Sequence, residues 1–127
     1  MSVRGLNHFT IMSTDLEATR RFYLEALQME EGPRPAMGFP GLWLYAASEA
    51  VLHIIAVEEA AVSRNTVIDH VAFSAVGLRE TVERFKALGL KHRYKKTMEG
   101  GWQFFCRDPD GATIELDFSS TEEAPAP

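Results

Sequence analysis

The chain has one cysteine, Cys106, among its 127 residues. No internal disulfide is possible, which suits a reducing compartment and sets aside the disulfide-stapled secreted scaffolds. No apolar run approaches the roughly 18–20 residues that a membrane helix needs. The N-terminal stretch also lacks the succession of basic, apolar and small residues that marks a signal peptide, so a cytoplasmic protein with no membrane partner is expected. Basic residues are outnumbered: 13 Lys and Arg against 18 Asp and Glu give a formal charge of −5. Nucleic acid, whose phosphates demand clustered cations, is not an expected partner. The cations that do gather, Arg79, Arg84, Lys86, Lys91, Arg93, Lys95 and Lys96, are interleaved with Glu80, Glu83 and Glu99 and read as a solvated face. Proline is sparse, and three of its six occurrences crowd residues 32–40, with two glycines. That stretch reads as irregular loop or edge strand. The polar, acidic, proline-bearing tail at residues 119–127 (SSTEEAPAP) is expected to fray.

What is present is a sizeable apolar fraction, 46%, arranged with a repeat. His8 and His70 lie 70 − 8 = 62 residues apart, and the same interval separates His53 from Glu115. A tandem repeat of that period puts two metal-capable side chains at equivalent positions in each half. The coarse pattern agrees. Residues 6–12 (LNHFTIM) alternate as a strand, with His8, Thr10 and Met12 on one side and Asn7, Phe9 and Ile11 on the other. Thr14 and Glu17 have the spacing of a capping box, and Leu16, Phe22, Tyr23, Ala26 and Leu27 make a helical apolar stripe. Residues 41–46 and 51–57 read as two further strands. After a linker at 58–65 the succession restarts: a strand at 67–74 (VIDHVAFS), a helix at 78–88 closed by Gly89, and strands at 90–97, 102–107 and 112–118. The sequence DPDG at 108–111 is a tight turn.

Strand parity then sorts the faces. Phe9, Ile11, Leu52, Ile54, Val71, Phe73, Ile114 and Leu116 share one apolar side, which should pack under the helices. His8, Thr10, His53, His70, Ser74, Glu115 and Asp117 share the other, and a polar face drawn from both halves looks like a site. Imidazoles with one carboxylate suit a first-row divalent metal (Fe, Mn, Co, Ni or Zn) better than Mg or Ca. Parity does not fix the faces of Trp43, Tyr45, Phe105 and Arg107. Cys106 has no base beside it in sequence and reads as buried. His92 follows the second helix and reads as exposed.

The opening LNHFTIMSTDLEATRRFY, the restart IDHVAF and the ending FFCRDPDGATIEL resemble the vicinal oxygen chelate superfamily, whose members include glyoxalase I, methylmalonyl-CoA epimerase, extradiol dioxygenases, fosfomycin-modifying transferases and bleomycin-binding proteins. The likeness covers residues 4–118. It implies an α+β fold of two tandem βαβββ modules, at 4–57 and 66–118, forming a half-open β-barrel around a metal site in a single domain. It also implies a small-molecule substrate and a homodimer. Carried onto this chain, His8, His70 and Glu115 match the superfamily's metal ligands. His53 stands where glyoxalase I has Glu and the epimerase Gln, which is a departure: it could be a fourth ligand, a base or a substrate contact. With Glu115 it is the candidate for moving a proton. The reaction expected first is metal-assisted proton transfer, as in a glyoxalase-like lyase or epimerase-like isomerase. An Fe(II) extradiol-type dioxygenase is the alternative. Its pattern expects a histidine near residues 96–98 and a tyrosine at 105, where this chain has Lys96–Met98 and Phe105. A bleomycin-resistance-like binder that sequesters its ligand is the third reading; retention of the ligand residues argues against it.

Overall fold

A computed structural model describes residues 2–60 and 66–126. The chain divides into two compact units, 1–62 and 63–127, and the division falls inside the stretch expected to be the linker, of which residues 61–65 lie outside the described set.

The first unit runs β1 (Phe9–Ser13), α1 (Leu16–Arg21), β2 (Glu30–Gly32), β3 (Gly41–Ala46) and β4 (Glu49–Ala56). The second runs β5 (Val71–Ser74), α2 (Leu78–Ala87), β6 (Arg93–Lys96), β7 (Trp102–Arg107) and β8 (Thr113–Phe118). Each unit is the expected βαβββ module. Its four strands are ordered β1-β4-β3-β2 in one sheet and β5-β8-β7-β6 in the other. In both, the first and last strands pair in parallel, while the other neighbours are antiparallel.

The 62-residue period is visible as register. Thr10 lies opposite His53, and Ala72 opposite Glu115. Trp43 faces His53 across β3 and β4, as Phe105 faces Glu115 across β7 and β8. The side-chain faces follow the alternation expected. Leu52, Ile54, Ile114 and Leu116 are buried. Tyr23 and Phe85, equivalent positions on the helical segments, are fully buried. Burial of one such large apolar side chain stabilises by about 1.5–3 kcal/mol, so these helical faces fix the sheets' apolar sides. In the second unit Phe85 meets Phe104 edge-on, with ring centroids 4.8 Å apart.

The element boundaries differ from the sequence reading in ways that matter for the site. β1 begins at Phe9 rather than residue 6, and β5 at Val71 rather than residue 67. His8 and His70 therefore sit just before their strands, where the two-residue alternation no longer decides which way a neighbour points. α1 is capped by Asp15, not Thr14. Asp15 has extended backbone and accepts a hydrogen bond from the Ala18 N–H at 3.1 Å, and Asp caps as well as Ser or Thr does. Glu17 pairs with Arg20. After Arg21 the helix widens into a π-helical turn over Phe22–Ala26, with the Leu27 N–H reaching the Phe22 carbonyl.

α2 closes as expected at Gly89, whose φ of +67° suits glycine. The N–H groups of Gly89 and Leu90 return to the carbonyls of Lys86 and Phe85, the two bonds of a Schellman cap. Its start is held from outside the module. Glu122, in the segment expected to fray, accepts from the N–H groups of Gly77 and Leu78 at 2.8 and 3.0 Å. The Trp102 indole N–H donates to the Glu122 carbonyl at 2.9 Å. No helix among the described residues is long and apolar enough to cross a membrane.

Candidate metal centre

In the second unit, the approach to β5 and the middle of β8 bring His70 and Glu115 together. His70 Nε2 lies 3.3 Å from Glu115 Oε1. The other ring nitrogen, Nδ1, is 2.8 Å from Asp69 Oδ2. A carboxylate only accepts, so Nδ1 carries a proton and Nε2 offers its lone pair toward Glu115. Glu115 is buried, its side chain 8% exposed, and Gln103 Nε2 donates to its second oxygen at 3.4 Å. Burial raises the Glu115 carboxyl above the ordinary carboxylate value, and Asp117 adds to the rise, with His70 and Gln103 opposing. The hydrogen bond to Asp69 raises the His70 imidazole; Glu115 and Asp117 reinforce that against a smaller effect of burial.

Two acceptors 3.3 Å apart need something positive between them. A proton serves in the metal-free protein. A divalent ion serves equally well, because adjacent ligands with bonds of about 2.1 Å stand about 3 Å apart. Asp69 plays the part that orients a ligating histidine in metal sites, fixing its tautomer and its ring.

In the first unit the donors are arranged differently. The rings of His8 and His53 stack face to face, centroids 3.8 Å apart and 16° from parallel. Trp43 stacks on His53 at 4.0 Å and 9°. The three rings form a column on the polar side of the sheet. His8 Nδ1 is 2.8 Å from Asn7 Oδ1. This repeats the Asp69–His70 contact 62 residues earlier and leaves His8 Nε2 as the free donor. His53 is turned the other way: Nε2–H donates to the Ala50 carbonyl at 3.1 Å, so Nδ1 keeps its lone pair. Burial lowers the His53 imidazole below its ordinary value, and Coulombic interaction with His8 and Arg34 adds to this, against the Ala50 carbonyl. It stays neutral at pH 7.

All four expected donors thus lie on the polar sides of their sheets, and each half supplies a pair. Among the described residues no group of three or more His, Cys, Asp or Glu is gathered to ligand distance. The fit of the chain to a metal rests on the donor chemistry of each pair, strongest for His70 and Glu115. The sequence reading did not point to Asp69 or Gln103 and put Asn7 on the side of Phe9 and Ile11, whereas Asn7 contacts His8; Asn7 and Asp69 share the 62-residue interval. Trp43 and Phe105 share it too, and the structure gives them the faces that parity left open. Cys106 is buried as expected, and burial with the neighbouring Asp108 pushes its thiol up to about 12. His92, expected to be exposed, is half-buried. It folds back onto Phe104 with ring centroids 5.4 Å apart, and its Nδ1–H donates to the Leu90 carbonyl.

Two βαβββ modules, each presenting a pair of metal-capable donors on the polar side of its sheet, define a class of metal-binding folds. The chain belongs to the Glyoxalase/Bleomycin resistance protein/Dioxygenase superfamily, whose family model matches residues 5–116. Members of this superfamily typically bind divalent metals and small-molecule substrates. Among solved structures, the chain resembles a glyoxalase family protein from Bacillus anthracis, at 22% identity and TM-score 0.77 over 92% of this chain and 96% of that one. It resembles the lactoylglutathione lyase of Agrobacterium tumefaciens at 19% identity and TM-score 0.70, over 94% and 97%. It resembles the fosfomycin resistance protein FosX of Listeria monocytogenes at 24% identity and TM-score 0.72, over 90% of each chain. At these identities the likeness is one of fold. Among curated proteins no sequence matches the chain closely enough to count as a relative.

Proposed function

We propose that the protein is a divalent-metal-dependent enzyme that moves a proton on a small substrate with chelating oxygen atoms, as a glyoxalase-like lyase or an epimerase-like isomerase does. His8, His53, His70 and Glu115 are the proposed metal donors. The observation that carries the reading is the His70–Glu115 pair, two acceptors 3.3 Å apart with Asp69 holding the far side of the imidazole.

A bound divalent ion polarises substrate oxygens and acidifies the adjacent C–H. The chain supplies the rest. With Nε2 committed to the Ala50 carbonyl, His53 has one lone pair, on Nδ1, which serves as a metal ligand or, where His53 stands off the metal, as the proton acceptor. Glu115, its carboxyl raised by burial, gives up or takes a proton closer to neutrality than an ordinary carboxylate. Trp43, stacked on His53, covers one face of the imidazole and limits its rotation. Elemental analysis of protein purified without added metal tests the reading. Nickel, cobalt, manganese or zinc supports proton transfer, and a chain that takes up no divalent ion overturns it.

One observation favours a second reading. His53 has its Nε2 committed to the Ala50 carbonyl and its ring flat against His8. If His53 stays off the metal, His8, His70 and Glu115 make the two-His, one-carboxylate set of non-haem Fe(II) oxygenases. Phe105 weighs against ring cleavage: it stands across from Glu115 and brings no hydroxyl. Iron in the purified protein with O₂ consumed on catechols would reverse the order of the two readings.

A further inference from the structure

A groove of about 440 Å³ opens on the second unit where the approach to β6 meets the end of β7 and the start of β8. Lys91, His92, Arg93, Phe105, Arg107 and Thr113 line it, and no acidic residue is among its lining. In a chain of net charge −5 that is a local reversal of sign. Among the described residues neither Lys91, Arg93 nor Arg107 is ion-paired to a carboxylate. Arg93 is nevertheless held in place: its guanidinium lies over the Phe105 ring, 4.2 Å from the centroid. That contact holds the guanidinium against the ring without cancelling its charge. Arg107 Nη1 donates to the Gly111 carbonyl at 3.1 Å, which orients the side chain without cancelling its charge.

The position is informative. Phe105 lies opposite Glu115, and Arg107 lies opposite Thr113, two residues along β8 from Glu115. Two residues of strand span about 7 Å and neighbouring strands stand about 4.8 Å apart, so the backbones of Arg107 and Arg93 lie roughly 8–10 Å from that of Glu115 on the same sheet. We propose that this groove binds an oxyanion, a carboxylate or a phosphate, at the end of the substrate remote from its chelating oxygens. The fixed forks of two arginines match such a group, and a lysine adds charge without geometry. That the oxyanion belongs to the substrate rests on the metal reading given above. That the groove takes an oxyanion does not.

The test uses the full chain freed of metal with a chelator, so that it stands apart from the metal reading. Amide resonances are followed by NMR at constant ionic strength as inorganic phosphate, or in a second series succinate, is added. Saturable shifts should appear at residues 90–93, 105–107 and 113, and the tighter of the two probes tells phosphate from carboxylate. Replacing both arginines (Arg93→Gln with Arg107→Gln) should weaken binding by roughly a hundredfold, since each charge-assisted hydrogen bond is worth about tenfold. Arg107→Gln alone should weaken it less, and is the fallback if the double variant melts early. Glu115→Gln, which abolishes the proposed metal pair, should leave phosphate binding unchanged or stronger. Shifts that never saturate, that scatter over the surface, or that survive the arginine substitutions would overturn the proposal.

Discussion

His70 Nε2 and Glu115 Oε1 stand 3.3 Å apart, with the histidine's other nitrogen already bonded to Asp69. Removing either member leaves the other without its counterpart. His70→Ala should therefore strip most bound metal from the protein, because metal binding is a shared property of the shell. Stoichiometric metal retained in that variant, read by elemental analysis against protein concentration, would contradict the assignment.

Asp69 acts through His70, so its loss should be felt as weaker binding and an altered titration. Asp69→Asn should weaken metal affinity by about 10–100-fold, the usual effect of losing a partner that orients a ligand. In the metal-free variant the His70 ring should titrate lower than in the parent, since the Asp69 contact is the main cause of its raised value. A purely structural role would leave the ring titration where it was.

The pH dependence of stability in the metal-free protein has two limbs. His70 is raised above 6.5, so its contribution is complete below that pH and disappears as pH climbs through the raised value. Glu115, raised above 4.5, adds a loss in the same direction. Glu122 is lowered below 4.5 by the Leu78 and Gly77 N–H groups, so its contribution is present above that pH and disappears as pH falls. Thermal melts across pH should fall off on both sides. Glu122→Gln should flatten the acid limb and lower the melting temperature at neutral pH by weakening the start of α2. Metal should suppress the alkaline loss by replacing the proton shared by His70 and Glu115.

His53→Ala separates the two roles open to His53. If His53 is the proton acceptor, the variant should lose turnover while retaining metal, and the limb of the pH–rate profile below the ordinary imidazole value should vanish. If His53 is a ligand, metal content and activity should fall together. A homodimer is expected of the protein; a light-scattering mass equal to one chain at micromolar concentration would exclude it.

The sequence made the repeat legible because strands have a period of two and side-chain faces follow from it. That carried Leu52, Ile54, Ile114 and Leu116 to the apolar side and His53 and Glu115 to the other. It stopped working where the strands stop. His8 and His70 precede β1 and β5, so the contacts from Asn7 and Asp69 were invisible to alternation. The cap of α1 shifted by one residue because Thr14 and Asp15 are both competent caps, and only the backbone turn at Asp15 decides between them. Which nitrogen of His53 is free depends on a carbonyl three residues away, a matter of local backbone geometry that no spacing encodes. Lys91, Arg93, Lys95 and Lys96 are exposed, as a solvated face requires, and it is the sheet that brings Arg93 to one groove with Arg107, whose face parity left open.

The column of Trp43, His53 and His8 has an optical consequence. An indole in face contact with an imidazole loses fluorescence when that imidazole gains a proton, and loses more when a paramagnetic ion such as Co(II) settles nearby. The chain has two tryptophans, and the indole of Trp102 is engaged elsewhere with the Glu122 carbonyl. A Trp102→Phe variant would leave Trp43 as the single emitter, in ring contact with His53. The protein then reports the charge on His53, and the arrival of a metal, by its own light and without a label.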